Sequence, residues 1–454
     1  KVLIWKSGWR LPNDYGRVAM DRIAVVNLGC PKNQIDAETM SGILAEKGYQ
    51  LTGRPETADI IVVNTCSFID KARQESIDQI LAMAEYKKKG RCRQLLVTGC
   101  LAQMHHKELA KEMPEVDGFL GTGSVDQILD LLGGKRAIIS SPEMYDGLAE
   151  TKRLLSTYPY GYLKIAEGCN NWCSYCVIPQ LRGRLRSKER SQVLTEARSL
   201  VEKGIREIIL IAQDTSQYGL DINGKSQLPE LLLDLEKIPG INWIRLLYCY
   251  PDHITDELID VFAASAKLCR YLDIPLQHSH PAILHSMGRK HSGEGARELI
   301  QKLRQRVPGI ALRTTFIVGY PGETPEHFQD LLDFVRWAEF DHLGAFIYSR
   351  EEGTRAAAIK AQVPARIKNS RYHQLMALQQ QIVLERNQQL LGRKFTVLID
   401  SVRSGLAYGR SYREAPEIDS NIIFPAIANK IGDFVRIRCS SRDGYDLLGE
   451  IDNE

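Results

Sequence analysis

Short apolar runs alternate with longer mixed stretches along most of the chain, and the period changes between them. Residues 23–29, 59–65 and 94–99 read as strands, each rich in Ile, Val and Leu, and each runs directly into a cysteine: Cys30, Cys66 and Cys100. Helical spacing fills the intervals, at 36–47 and 71–87. Strand–helix alternation predicts a parallel α/β sheet. In such sheets ligands bind at the edge formed by the strands' carboxyl ends. Three cysteines far apart in sequence are therefore predicted to converge on one crevice. The competing reading is three small buried core residues, but their equivalent placement, two of them after Gly29 and Gly99, favours ligands. Cys92 precedes its strand in a basic turn and is left out of the site. This module is expected to span 21–150.

A second module, 155–385, repeats the pattern. Strand signals at 161–166, 207–212, 243–248, 271–275, 312–318 and 343–348 are separated by helical stretches. Six such units predict a barrel-like parallel sheet whose active site lies at the carboxyl ends of the strands. Polar clusters follow several strands: Gln213-Asp214-Thr215, Gln277-His278-Ser279 and the turn from Gly319 to Glu323. Residues 365–390 read as a connecting helix. From 391 to 454 the runs shorten and alternate (395–399, 407–410, 422–425, 434–439), which predicts a small all-β barrel. Residues 1–19 do not read as the start of a domain.

Composition adds little to this picture. The 454 residues carry 44% hydrophobic and 25% charged side chains and a formal net charge of +3, ordinary for a globular chain of several domains. No apolar run is long enough to span a bilayer, and no secretory leader is evident, so a cytoplasmic protein with no membrane partner is expected. Ten cysteines in such a setting point to metal ligation or catalysis rather than disulfides.

The sharpest motif is Glu-Gly-Cys-Asn-Asn-Trp-Cys-Ser-Tyr-Cys, which places Cys169, Cys173 and Cys176 in a C-x3-C-x2-C spacing after the first strand of the second module. Three thiolates can hold three irons of a four-iron cluster and leave the fourth open to a further ligand. A structural zinc site more often shows two C-x2-C pairs. The spacing resembles the signature of radical S-adenosylmethionine (SAM) enzymes, in which SAM chelates the open iron, and the aromatic Tyr175 fits that family. With Cys30, Cys66 and Cys100 added, the arrangement resembles the methylthiotransferase branch of that family.

This resemblance covers the chain from about residue 21 onward. It implies an N-terminal α/β domain with an auxiliary [4Fe-4S] cluster on Cys30, Cys66 and Cys100. A partial (βα)6 radical SAM barrel with a second [4Fe-4S] cluster on Cys169, Cys173 and Cys176 follows, and then a C-terminal TRAM barrel. The runs at 28–33, 213–219, 248–251, 273–278 and 415–419 resemble the members that methylthiolate the β-carbon of an aspartate in small-subunit ribosomal protein S-twelve. The implied chemistry is reductive cleavage of SAM to a 5′-deoxyadenosyl radical, hydrogen abstraction, and transfer of a methylated sulfur. It implies a low-potential electron donor such as flavodoxin or ferredoxin, and a sulfur donor. Among cofactor contacts, Tyr175 is assigned to adenine, Gln213 to the SAM amino group or ribose, and Arg313 to its carboxylate. Gly319 and Glu323 lie in the adjoining turn. His278 is either a proton donor or a core histidine. The basic run 182–190 reads as a solvated helix start, with SAM or substrate contact as the alternative.

Two rivals stand beside this reading: a methylthiotransferase acting on isopentenyladenosine of tRNA, and a non-catalytic iron–sulfur carrier. Residues 393–454 hold nine Lys or Arg against ten Asp or Glu. A tRNA-binding module is expected to be basic, so no specific nucleic-acid partner is expected.

Overall fold

In the computed structural model, which describes residues 3–4, 21–144, 153–155, 158–426 and 429–452, the chain divides into two compact units. The first comprises Lys1–Thr157, Glu167–Asn170 and Val177–Arg186; the second comprises Tyr158–Ala166, Asn171–Cys176 and Ser187–Glu454. Most of the segment 1–19, and the end assigned to the first module at 150, lie outside the described residues. Within 1–19, Leu3–Ile4 form a short strand paired antiparallel with Asn27 and Val26.

The core of the first unit's sheet is β1 (Arg22–Asn27), β2 (Ile60–Thr65), β3 (Gln94–Gly99) and β4 (Gly118–Leu120), parallel and in sequence order, with the two-residue strands Gln50–Leu51 and Ala137–Ile138 paired in parallel to β1 and β4. Helices α1 (Pro31–Glu46), α2 (Asp70–Lys89) and α3 (Cys100–Glu112) connect them. Successive strand residues face opposite ways, and here both faces are covered. Ala24, Val26, Ile61, Val63, Leu95 and Val97 pack with Ile80, Met83, Leu101 and Leu109. Ile23, Val25, Ile60, Val62 and Leu96 pack with Ala37, Met40, Leu44 and Leu131 on the other side. Burial on both faces explains why these strands read as unbroken apolar runs. Helix α1 begins five residues before the periodicity places it, because Pro31 occupies its first turn and Cys30 is its N-cap.

The second unit opens with six parallel strands in order: β5 (Tyr160–Lys164), β6 (Glu207–Ile211), β7 (Trp243–Leu246), β8 (Leu268–Gln277), β9 (Ala311–Val318) and β10 (His342–Ile347). The sheet is open, so the barrel is partial. Its crossover helices bury apolar stripes such as Leu228, Leu231, Leu232 and Leu235. The long helix Ala365–Gln388 leads to a closed barrel of β11 (Lys394–Arg403), β12 (Leu406–Arg410), β13 (Ile422–Pro425), β14 (Phe434–Asp443) and β15 (Asp446–Ile451). The fifth of these strands escapes a sequence reading because glycines at 444 and 449 break its pattern. Among the described residues no helix is long and apolar enough to cross a membrane.

The barrel's loop 411–419 seals the amino-terminal end of the six-stranded sheet. Arg245 of β7, fully buried, donates to Glu207 Oε1 at 2.6 Å and to the carbonyls of Tyr412 at 2.7 Å and Ser411 at 3.3 Å. Arg410 also pairs with Glu207, at 2.7 Å. Asp419 accepts from the Tyr271 hydroxyl at 2.8 Å and from Arg313 Nε at 3.3 Å. Arg410 and Asp419 are thus neutralised inside the fold while Arg393, Arg436, Arg438 and Arg442 are exposed, so the charge count of residues 393–454 mixes interior with surface groups and carries no argument about a partner.

Candidate metal centres

Cys30, Cys66 and Cys100 stand one residue or a short turn beyond β1, β2 and β3, three adjacent strands. They meet at the carboxyl edge. Asn33, on the first turn of α1, locates them. Its Nδ2 donates to the carbonyls of Leu28 (3.0 Å) and Thr65 (2.9 Å), which fixes the amide so that Oδ1 faces the sulfurs. Cys100 Sγ lies 3.7 Å and Cys30 Sγ 4.0 Å from that oxygen. Gly29, at φ +96°, brings the chain so close to Cys66 that a Cβ there would sit 2.9 Å from Cys66 Cβ. Gly99, at φ +91°, is bound by the same constraint: a Cβ would fall 2.6 Å from Asn64 Oδ1. The glycines preceding Cys30 and Cys100 are thus geometric requirements.

Burial pushes the Cys66 thiol up to about 12, and the neighbouring Cys100 and Cys30 sulfurs push the same way. The Cys100 thiol is raised by burial, against the pull of Arg182. Buried thiols held up in this way, as those of Cys66 and Cys100 are, become thiolates together when a cation binds among them. The donor set therefore fits a cluster held by cysteine thiolates. None of the three is joined in a disulfide. Among the described residues no three His, Cys, Asp or Glu side chains close on a single metal ion. Cys92 sits at the opposite end of β3, its sulfur 3.3 Å from the Gln94 carbonyl.

The second cysteine motif follows β5. Cys169 belongs to the first unit, where its N–H donates to the Gly183 carbonyl at 3.1 Å. In the second unit the segment 171–176 is tied down at nearly every residue. Asn171 Nδ2 donates to Asp214 Oδ2 at 2.8 Å, and its Oδ1 accepts from Gln217 at 2.6 Å. The Trp172 carbonyl accepts from Arg355 at 2.6 Å. Ser174 donates to the Ser286 carbonyl and meets the Tyr320 hydroxyl, both at 2.8 Å. Cys176 N–H donates to the Cys173 carbonyl at 3.1 Å, which makes the tight turn of the C-x2-C half. Trp172 holds a left-handed backbone (φ 49°) and is 55% exposed. Strain at an exposed aromatic is a mark of functional loops.

Tyr175 packs beside Ile283, Met287, Ile317, Tyr320 and Tyr348. Burial, then Cys173, raise its hydroxyl well above the ordinary tyrosine range. Buried Arg289 lies beside Cys173 and Tyr175, with its guanidinium carbon 4.0 Å from the Tyr250 ring centroid. Gln213 is half-buried two residues beyond β6.

Other sequence assignments give way. Arg313 lies in the amino-terminal half of β9 and is spent on Asp273 (3.1 Å) and Asp419 (3.3 Å), at the end of the sheet opposite the cysteines' edge; it does not face a SAM carboxylate. Both oxygens of Glu323 are also engaged: Oε1 with Arg371 at 2.8 Å, and Oε2 with the N–H groups of Gly319 at 2.7 Å and Tyr320 at 3.2 Å. Gly319 and Glu323 thus build a turn rather than present free groups. His278 is fully buried, accepts from the His280 N–H at 3.0 Å and is held down to about 3 by burial, a neutral core histidine. The basic run is only partly solvated: Arg184 is exposed, but Arg182 and Lys188 are buried, Lys188 pairing with Glu196 at 2.5 Å. Sequence reading missed Asn33, Asn171 and Arg289. The first two lie inside the quoted motifs, whereas Arg289 has no local signal.

Three family models match in order along the chain: Uncharacterized protein family UPF0004 over residues 22–121, the Radical SAM superfamily over 163–335, and the TRAM domain over 391–451. The chain is 49% identical over 441 residues to the ribosomal protein uS12 methylthiotransferase RimO of Heliobacterium modesticaldum, covering 95% of each. To the protein of the same name from Desulforamulus reducens it is 47% identical over 442 residues, covering 95% of this chain and 100% of the relative. Among solved structures, the radical SAM methyltransferase TsrM of Kitasatospora setae matches with a TM-score of 0.57 at 15% identity, over 80% of this chain and 89% of the other. At that identity the likeness is one of fold alone.

Proposed function

Because the chain belongs to the family of ribosomal protein uS12 methylthiotransferases named RimO, we propose that it is a radical SAM methylthiotransferase that adds a methylthio group to the β-carbon of an aspartate in ribosomal protein uS12, the S-twelve of the small subunit. The observation that carries the reading is the convergence of Cys30 and Cys100 on one fixed amide oxygen at a strand edge, with Cys66 beside them, in a chain that also holds the C-x3-C-x2-C motif. Cys30, Cys66 and Cys100 would hold the auxiliary [4Fe-4S] cluster, and Cys169, Cys173 and Cys176 the radical SAM cluster. When bound, the two clusters and SAM supply the electron, the hydrogen-abstracting radical and the transferable sulfur that side chains cannot.

The chain's own residues orient and insulate. Asn171 and Ser174 hold the motif against the carboxyl end of the sheet. Tyr175 keeps an apolar wall beside Cys173, and its raised hydroxyl stays protonated. Gln213, two residues beyond β6, would bond the SAM amino group or ribose. A low-potential donor of the flavodoxin or ferredoxin class and a sulfur donor complete the reaction, in the cytoplasm.

The test is to incubate the anaerobically reconstituted chain, SAM, a reductant and sulfide with a uS12 peptide and, separately, with isopentenylated tRNA. The peptide aspartate should gain one methylthio group in place of a hydrogen, read by mass spectrometry. Modification of the tRNA alone would replace this reading with the tRNA-modifying one, and absence of 5′-deoxyadenosine would replace it with a cluster carrier.

A further inference from the structure

Arg182 lies outside both cysteine motifs, on the short helix Ile178–Arg182 that starts two residues after Cys176. Its guanidinium is inside the first unit, 4% exposed, among the residues of the Cys30–Cys66–Cys100 site. One terminal nitrogen pairs with Asp36 at 2.7 Å and lies 3.5 Å from Glu167. The other donates to Asn33 Oδ1 at 2.8 Å and to Cys100 Sγ at 3.6 Å. The backbone that carries it is anchored separately: the Leu181 carbonyl accepts from Thr122 at 2.6 Å, and Leu181 packs on Cys100, Val177 and Met104.

This geometry has a consequence once the thiols become thiolates. Cys30 and Cys100 then lose the hydrogens they point at Asn33 Oδ1, whose lone pairs would face anionic sulfur. The Arg182 N–H groups remain to satisfy that oxygen and the Cys100 sulfur together. A cluster's potential follows its net charge and the hydrogen bonds to its sulfurs. We propose that Arg182 is a positioning residue for the auxiliary cluster, fixing the Cys30–Cys100 side of the site and raising the cluster's reduction potential. Asp36 holds the guanidinium in place and opposes its charge. The inference rests on the auxiliary-site reading given above.

The experiment uses the full chain with Cys169→Ala, Cys173→Ala and Cys176→Ala, so that only the auxiliary trio can load. It is reconstituted anaerobically with iron and sulfide and followed by redox titration with EPR detection. Arg182→Gln should lower the potential by at least the ~59 mV that a tenfold change in a one-electron equilibrium represents. Arg182→Lys keeps the charge without the two-pronged contact and should fall between. Asp36→Asn should move the potential the other way, a reversal that simple loosening of the fold does not produce. Should Arg182→Gln fail to fold, Asp36→Asn with Arg182→Gln, compared with Asp36→Asn alone, reads the same charge and should show the lower potential. An unchanged potential in the Arg182→Gln chain, or Asp36→Asn shifting in the same direction, overturns the role of Arg182 while leaving the auxiliary site intact. A background chain that loads no iron overturns the auxiliary site itself and this inference with it.

Discussion

The amide of Asn171 donates to the carboxylate of Asp214 across 2.8 Å, joining the middle of the C-x3-C-x2-C motif to the turn beyond β6. Asp214 is nearly saturated. It also accepts from Ser216 N–H at 3.1 Å and Tyr250 N–H at 3.4 Å, and lies 3.0 Å from His253 Nδ1. One side chain thus sets the position of the cysteine loop and of two strand ends.

Asp214→Ala should release that loop. It strands several donors, each costing about 1–3 kcal/mol when buried and unmet. Iron in the reconstituted chain should fall from about eight toward about four per molecule, at four per cluster, with 5′-deoxyadenosine formation falling in step. Full iron and undiminished SAM cleavage would show that the loop is held elsewhere.

The two trios should separate by role. Cys173→Ala should abolish SAM cleavage, whereas Cys100→Ala should retain it and lose methylthio transfer. Cys92→Ala should change neither, since its sulfur sits at the amino-terminal end of β3. Product analysis for 5′-deoxyadenosine and methylthiolated peptide reads both. A Cys92→Ala chain that behaves like Cys100→Ala would count against the assignment.

Arg313 tests whether a buried strand arginine serves the cofactor or the fold. Removing one partner of a buried ion pair costs about 3–5 kcal/mol, so Arg313→Met should unfold at much lower denaturant concentration. The folded fraction should keep the KM for SAM of the unaltered chain. A raised KM with unaltered stability would restore the carboxylate-binding role.

Acid should destabilise the protein in two stages. His278 is neutral in the fold and is pulled from 6.5 to about 3 by burial. Its contribution is whole above pH 6.5 and is lost as pH falls, because the unfolded chain takes up the proton first. The slope is about 1.4 kcal/mol per pH unit for one proton. His291 is lowered by burial and acts in the same direction. Below about pH 4 a second loss sets in, as Asp341 and Asp419, held low by Arg413, Arg386, His342 and Arg313 against their burial, are protonated. His278→Gln should flatten the first stage in urea melts taken between about pH 6 and 5. Parallel profiles for the two chains would remove His278 from the account.

The short unbroken apolar runs and the cysteines that follow three of them carried the fold and the outline of the first site, because strand direction alone brings Cys30, Cys66 and Cys100 to one edge. What they could not carry is commitment. Arg313, Glu323 and the acidic loop at 414–419 look available in a sequence, since a charge on a strand end reads the same whether it meets solvent or a partner a hundred residues away. Asp419 finds Arg313 across 106 positions, and no local pattern encodes that distance. Arg182 shows the reverse error: a run of basic residues reads as solvated surface, yet its first member is buried against Asp36, 146 positions earlier.

The charged seal at the amino-terminal end of β5–β10 also sets an order of events during synthesis. Glu207, Arg245, Tyr271 and Arg313 have all been translated by the time β10 emerges, but Ser411, Tyr412, Arg410 and Asp419 have not. At roughly 5–20 residues per second the wait lasts several seconds. A nascent chain in that interval presents ionic groups that water must solvate and the finished protein hides, so the final packing at this end of the six strands waits for residues 410–419. A chain cut short before Ser411 is left with Arg245, Tyr271 and Arg313 lacking the acceptors that the loop supplies.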